Sequence, residues 1–191
     1  MKNVTRTNLR YLVRDTLKTL KIENETFITN AEAYWNRHFF SNDGVREDVA
    51  IAGAAAYVNR LYSAGAEVVY LTGRDEPRML YGTEANLEAL EFPIKKWDNR
   101  PEAPDFDYVA TLLMKPTPEM DDLEFKKTAF NKIERMGVVT AVFENEPANL
   151  NSLASLFSLA QAVFLDTPHS PKPESPRVDI PWVGGFKNDS N

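Results

Sequence analysis

Residues 65–74 read Gly65-Ala66-Glu67-Val68-Val69-Tyr70-Leu71-Thr72-Gly73-Arg74. Val68 to Leu71 is a short apolar, β-branched-rich run that suits a strand buried on both faces. It stops abruptly at Thr72-Gly73-Arg74, ahead of Asp75-Glu76-Pro77, a pattern that predicts a strand, a polar turn and then a helix. In a parallel sheet, ligands bind outside the carboxyl ends of the strands. At such an edge Thr72 would offer a hydroxyl, Gly73 a bare backbone N–H and Arg74 a cation, all suited to an oxyanion.

Working outward, the small residues after Ile51, with Tyr57, Val58, Leu61 and Tyr62, predict a helix that stops at Gly65, a good left-handed terminus. On the far side a helix is expected from about Pro77 to Leu90. A polar, proline-containing connection, Trp97 to Pro104, leads to a second apolar run, Tyr108 to Met114, which stops at Lys115-Pro116. The helix Leu123 to Met136 leads to a third run, Val138 to Phe143, ending in Glu144-Asn145-Glu146-Pro147. A helix from about Asn149 to Ala160 leads to a fourth run, Ala162 to Leu165, ending in Asp166-Thr167. Helix and strand alternate throughout, so the expected fold class is α/β: a Rossmann-like parallel sheet with crossover helices.

Ahead of this core, Thr5 to Leu20 has the apolar spacing of an amphipathic helix. Residues Asn30 to Phe40 form a second helical piece carrying Tyr34, Trp35, Phe39 and Phe40, before a loop at Ser41-Asn42-Asp43-Gly44. Those aromatics read either as the core of a small helical subdomain or as a cap that closes over a site. The expected organisation is a cap-like segment over residues 1–48, an α/β core over 49–170, and a Pro/Ser-rich tail over 171–191 that wraps the body or hangs loose. The whole is one domain.

The 191 residues carry 22 Lys and Arg against 28 Asp and Glu, a net charge of -6. This balance argues against a nucleic-acid partner, whose binders usually present a basic face. There is no cysteine and the two histidines, His38 and His169, lie far apart. Thiolate sites are thereby excluded, and any metal would be held by oxygen ligands. No leader-like or membrane-spanning run is visible, so the expected setting is the cytoplasm, with no membrane partner.

The apolar runs end in complementary chemistry: Thr72-Gly73-Arg74, then Lys115, then Glu144-Asn145 with Glu146 and Asn149, then Asp166-Thr167. A hydroxyl, a lysine and a carboxylate able to hold Mg²⁺ form the set that phosphoryl transfer needs. Taken singly, Thr-Gly is a common turn, Lys-Pro a solvated helix approach, and Glu-Asn-Glu-Pro a helix cap; order and spacing carry the functional reading.

The series Tyr-Leu-Thr-Gly-Arg, Met-Lys-Pro and Phe-Glu-Asn-Glu-Pro-Ala-Asn resembles the second, third and fourth signature motifs of the haloacid dehalogenase (HAD) superfamily, across roughly Ala50 to Thr167. The resemblance implies a Mg²⁺-dependent phosphohydrolase of phosphatase type acting on a small phosphorylated substrate, with acid phosphatase and 5′-nucleotidase-like members as neighbours. Thr72, with Gly73 and Arg74, would bind the phosphoryl oxygens. Lys115 would neutralise the transferring group, with Lys126 as second candidate. Glu144, Asn145 and Asn149 would serve the metal, Glu144 and Asn145 standing where the family usually has two aspartates. The helices before Ala50 would match the cap inserted after the family's first strand.

That first strand, ending in Asp-x-Asp-x-Thr with the attacking aspartate, has no counterpart here. Asp105-Phe106-Asp107 precedes a strand instead of following one, and Asp15 lies in a helical pattern. Loss of a mid-sheet strand would forfeit about 10 kcal/mol of burial, comparable to a typical domain's stability of about 5–15 kcal/mol. The expectation is that the natural chain starts upstream of Met1. The alternatives are a non-catalytic phosphate-binding or scaffold relative and a receiver-like domain, the latter lacking its phospho-accepting aspartate ahead of Thr72. Substrate identity and oligomeric state are not legible.

Overall fold

The computed structural model describes residues 10, 12–94 and 110–186. The expectations for residues 1–9, for the connection Trp97 to Pro104 and for Asp105-Phe106-Asp107 lie outside them. The elements run α1 (Val13–Thr19), α2 (Glu25–Phe39), α3 (Asn42–Val45), α4 (Ala54–Ser63), β1 (Val68–Asp75), α5 (Glu76–Ala89), β2 (Ala110–Lys115), α6 (Asp122–Met136), β3 (Ala141–Glu144), α7 (Pro147–Leu156), β4 (Gln161–Leu165) and β5 (Trp182–Val183). From α4 to β4, helices and parallel strands alternate as the apolar runs predict.

Local chemistry sets the boundaries. Asn24, Ser41, Asp75 and Asp121 each cap a helix by accepting a backbone N–H with the side chain, which satisfies donors that would otherwise be orphaned. The cap at Ser41 turns the expected loop at residues 41–44 into the single turn α3. Gly65 has φ 89° and ends the α4 segment in the left-handed region, where glycine carries no Cβ penalty.

The strands form two sheets, β1-β2 and β3-β4-β5, all neighbours parallel. The alternation predicts one sheet; among the described residues it is divided between β1 and β3. Three apolar clusters hold the layers. Leu113 of β2, Val69 and Leu71 of β1 and Val142 of β3 pack with Phe125, Ala129 and Ile133 of α6 and Leu153 of α7. On the opposite face of β1-β2, Tyr70, Leu112 and Met114 meet Met79 and Leu80 of α5 and Val45 of α3. Leu150, Ala162, Phe164 and Ile180 form the third.

The proline-rich tail is a wrap. Ile180 enters the third cluster, Trp182–Val183 adds a strand to β4, and the Phe186 N–H donates to Ala52 O at 2.9 Å. The Phe186 ring packs against Tyr57 of α4 and Phe143 of β3, with centroids 4.9 and 5.4 Å away. The N-terminal helices dock on the core through α3 and α5, where the Gly82 N–H donates to Asn42 Oδ1 at 2.7 Å. Of α2 only Ile28 is buried; Tyr34, Trp35 and Phe39 are exposed, so these aromatics are not the centre of a closed subdomain core. No helix of the described residues is long and apolar enough to cross a membrane.

Candidate functional site

The stretch read first as strand and turn is a strand with an irregularity inside it. β1 continues to Asp75, and its register with β2 jumps between Leu71, opposite Leu113, and Asp75, opposite Lys115. Thr72, Gly73 and Arg74 therefore face the single residue Met114. Such bulges re-aim side chains at sheet ends and occur next to active sites. The Thr72 hydroxyl accepts from the Arg74 N–H at 3.3 Å.

A cavity of about 290 Å³ opens at this end, lined by Thr72 and Gly73 of β1, Lys126 and Asp122 of α6, Glu144 of β3, and Asn149 of α7 among others. The structure thus gathers Thr72, Gly73, Glu144, Asn145 and Asn149 as the strand-end reading expects. It does not bring Lys115 or Arg74 to this cavity. Lys115 Nζ is held by Asp122 Oδ1 at 2.9 Å and donates to the carbonyl of Met120 at 3.0 Å. Arg74 pairs with Asp48 and lines a second cavity of about 250 Å³, with Phe39, Phe40, Val45 and Met79. Burial pushes its guanidinium below the ordinary value, with Asp48 opposing that shift. The two cavities meet at Gly73 and Asp122. A Cβ on Gly73 would lie 2.4 Å from Asp122 Oδ2, so any side chain here would displace the carboxylate that holds Lys115.

The cation in the first cavity is Lys126. Its Nζ donates to Glu144 Oε2, and the two side chains are 7% and 10% exposed. Glu144 Oε1 accepts the N–H groups of Asn145 and Glu146 at 2.9 and 3.0 Å. The pair bridges α6 to β3 across the division between the sheets. Sequence reasoning ranks Lys126 behind Lys115. Its signal is that Lys126, Ala129 and Ile133 are buried together on the inward face of α6, where a lysine needs a partner.

Asn149 is 8% exposed and lines the cavity, and its side-chain amide makes no hydrogen bond among the described residues. A buried amide without a partner is costly, and this one borders open space. Nearby, Glu146 accepts the Ser170 N–H at 2.7 Å and the Ser170 hydroxyl, and the Asn145 Nδ2 donates to Pro168 O at 2.9 Å. The start of the tail is thereby tied to the cavity rim. Nothing in the sequence marks Ser170 as the partner of Glu146.

Asp75, just past the bulge, is 1% exposed. It accepts the Arg78 N–H and forms a forked pair with the Arg78 guanidinium. Desolvation alone would raise its carboxyl, but the Arg78 hydrogen bonds and charge outweigh burial and hold it below the ordinary 3.8. The unfolded chain therefore takes up this proton at higher pH than the folded one. The pair's stabilisation is complete above about pH 4 and drains away as pH falls through the folded-state value. Asp75→Asn keeps a capping oxygen but loses this linkage. The stability gap between wild type and variant, from urea midpoints, should be widest near pH 6 and narrow steadily towards pH 3.

Among the described residues, no group of three or more His, Asp or Glu stands ready to hold a metal ion. The oxygen chemistry at the end of β3 nevertheless suits a hard cation: the Glu144 carboxylate, the Asn145 amide oxygen and the unpartnered amide of Asn149. No protein-family model matches the chain, and no curated protein and no solved structure matches it.

Proposed function

We propose that this edge binds the phosphoryl group of a small phosphorylated substrate, as in a HAD-type phosphohydrolase whose full sheet is Rossmann-like, working in the cytoplasm. The observation that carries the reading is Asn149, a buried amide without a partner among the described residues, facing a cavity that also holds Thr72, Gly73 and the Lys126–Glu144 pair. Backbone N–H groups of the bulge, the Thr72 hydroxyl and Lys126 would take the phosphoryl oxygens. Of the two lysines, Lys126 stands in the cavity, while Lys115 would reach the phosphate only by releasing Asp122. Glu144, Asn145 and Asn149 would hold Mg²⁺, which when bound supplies charge neutralisation to the phosphoryl group. The organic part of the substrate would enter the adjoining cavity beside Phe39, Phe40 and Arg74, the role expected of a cap.

A non-catalytic phosphate-binding relative is the second reading. It is favoured by the engagement of each carboxylate in the cavity: Glu144 with Lys126, Asp122 with Lys115, and Glu146 with Ser170. Both readings expect orthophosphate to bind, observed as NMR shifts centred on Thr72, Gly73 and Asn149. Thr72→Ala should weaken binding about tenfold, the loss of one hydrogen bond to a charged group, and Asn149→Leu should weaken it when Mg²⁺ is present, by removing a ligand of the cation that neutralises the phosphate. Phosphate binding that survives both changes would rule out this site. Mg²⁺-dependent release of phosphate from an aryl phosphate separates the enzyme from the binder.

A further inference from the structure

Helix α2 keeps only Ile28 buried along its 15 residues. On a wheel of about 100° per residue, Phe27, Tyr34 and His38 form one stripe and Ile28, Trp35 and Phe39 the next. Thr26, Asn30 and Arg37 take the opposite side. α1 lies along the first half of the apolar face: Arg14, near its start, reaches Glu25 and Glu32 at 2.7 and 2.8 Å. α1 begins at Val13, so among the described residues it leaves the last two turns of α2 uncovered. Tyr34 is 66% and Trp35 45% exposed, and Phe27 and Phe39 are also exposed. A short helix draws most of its stability from packing its apolar face, and this one is packed over half its length.

The exposed rings are ordered. Tyr34 stacks on His38 and Trp35 on Phe39, with centroids 6.3 and 5.2 Å apart. Ala31 has Phe27, Tyr34 and Trp35 around it on the helix surface, at i−4, i+3 and i+4. That is a hole rimmed by three rings, the form that receives a side chain from a facing helix. The rings are themselves knobs, so the face complements itself. Its size also fits. Phe27, Tyr34, Trp35 and Phe39, each about half exposed, show about 400 Å² of aromatic surface. That is close to the apolar half of a standard interface of about 800 Å² per partner. Single exposed rings need no explanation, but a contiguous patch of this extent marks a contact.

Charge sets the direction of the partner. Glu23 and Glu25 stand at the start of α2, and Arg37 and His38 at its end. Glu23 and Arg37 are exposed and make no ion pair among the described residues. A second α2 laid antiparallel brings each acidic start to a basic end and sets the two helix dipoles against each other favourably. A parallel copy would place like ends together. The net charge of -6 disfavours an anionic lipid surface as the occupant.

We propose that α2 docks on the α2 of a second copy of this chain, antiparallel about a twofold axis near Ala31, with a dissociation constant of about 1–100 μM. The proposal rests on the exposed rings and is independent of phosphate binding. Sedimentation equilibrium between about 1 μM and about 500 μM should show monomer passing into dimer. Tyr34→Glu changes an exposed side chain. It should weaken association by about thirtyfold or more and leave the urea midpoint of the dilute monomer unchanged. Arg37→Glu should weaken it about fivefold, and adding Glu23→Arg should restore it by making the pair in reverse. The chain has no cysteine, so Ala31→Cys reports the axis: oxidised glutathione should link two copies through it. Thr26→Cys, on the opposite side of α2, should not link them, because its sulfurs could not meet. A chain that stays monomeric at about 500 μM overturns the proposal, and binding of that monomer to phosphatidylcholine vesicles would assign the face to a lipid surface. A dimer that survives Tyr34→Glu overturns it too, as does linking through Thr26→Cys in place of Ala31→Cys.

Discussion

Replacing Lys126 by methionine should lower the unfolding free energy by about 3–5 kcal/mol, the usual cost of leaving one half of a buried ion pair behind. Methionine has nearly the volume of lysine, so cavity formation contributes little and the loss reports the stranded Glu144 carboxylate. Glu144 would keep the N–H groups of Asn145 and Glu146, which places the effect towards the lower end of that range. Removing the charge as well, in Lys126→Met with Glu144→Gln, should recover more than half of the loss, because a neutral amide keeps an acceptor for those N–H groups. Urea midpoints of the wild type, both single variants and the double variant give the coupling energy directly. A loss below about 1 kcal/mol would place the pair among solvated surface bridges and remove the reason for seating a cation in the cavity.

Gly82→Ala should cost about 3 kcal/mol. A methyl at this position would lie 2.2 Å from the Asn42 carbonyl oxygen and 2.6 Å from its Cα, contacts with backbone that no rotamer change relieves. Overpacking of this kind costs about 1–3 kcal/mol or more. The half-buried hydrogen bond from the Gly82 N–H to Asn42 Oδ1 would be lost with it, at about 1 kcal/mol, against about 1 kcal/mol of improved helix propensity. The damage should be local: α3 would lift from α5, so proteolysis should reach residues 41–48 first while the sheets remain protected. Asn42→Ala in the glycine background removes the hydrogen bond without the clash and should cost no more than about half as much.

The alternation of helices and strands was legible because each strand of the core is a compact apolar run, α5 and α6 carry capping aspartates, and α4 and α6 stop at Gly65 and Gly137. Element ends were less so. α2 begins at Glu25, earlier than its aromatic stripe suggests, because Asn24 caps it and the stripe is exposed. The tail was the least legible part: its anchors Ile180, Trp182, Val183 and Phe186 are spread through proline-rich sequence, and the partners they pack or pair with lie far away in the chain. At the site, the strand-end rule located Thr72, Gly73, Glu144, Asn145 and Asn149. It could not foresee that the bulge directs Arg74 to Asp48, or that Asp122 captures Lys115, because both depend on register and on the approach of α6. Choosing between the two lysines needed the path of a helix across a sheet, which no local pattern encodes.

The wrap formed by the tail also sets an order of events in synthesis. Trp182–Val183 completes the second sheet, and Phe186 closes a ring cluster with Tyr57 and Phe143, so residues more than a hundred positions earlier wait for the end of the wrap before their surroundings are complete. While the ribosome still holds residues 168–186, the far edge of β4 and the outer face of Phe143 stay uncovered. That window exposes an apolar strand edge to other nascent chains. A fusion partner attached closely behind Phe186 would prolong it, and a flexible spacer there should raise the yield of folded protein.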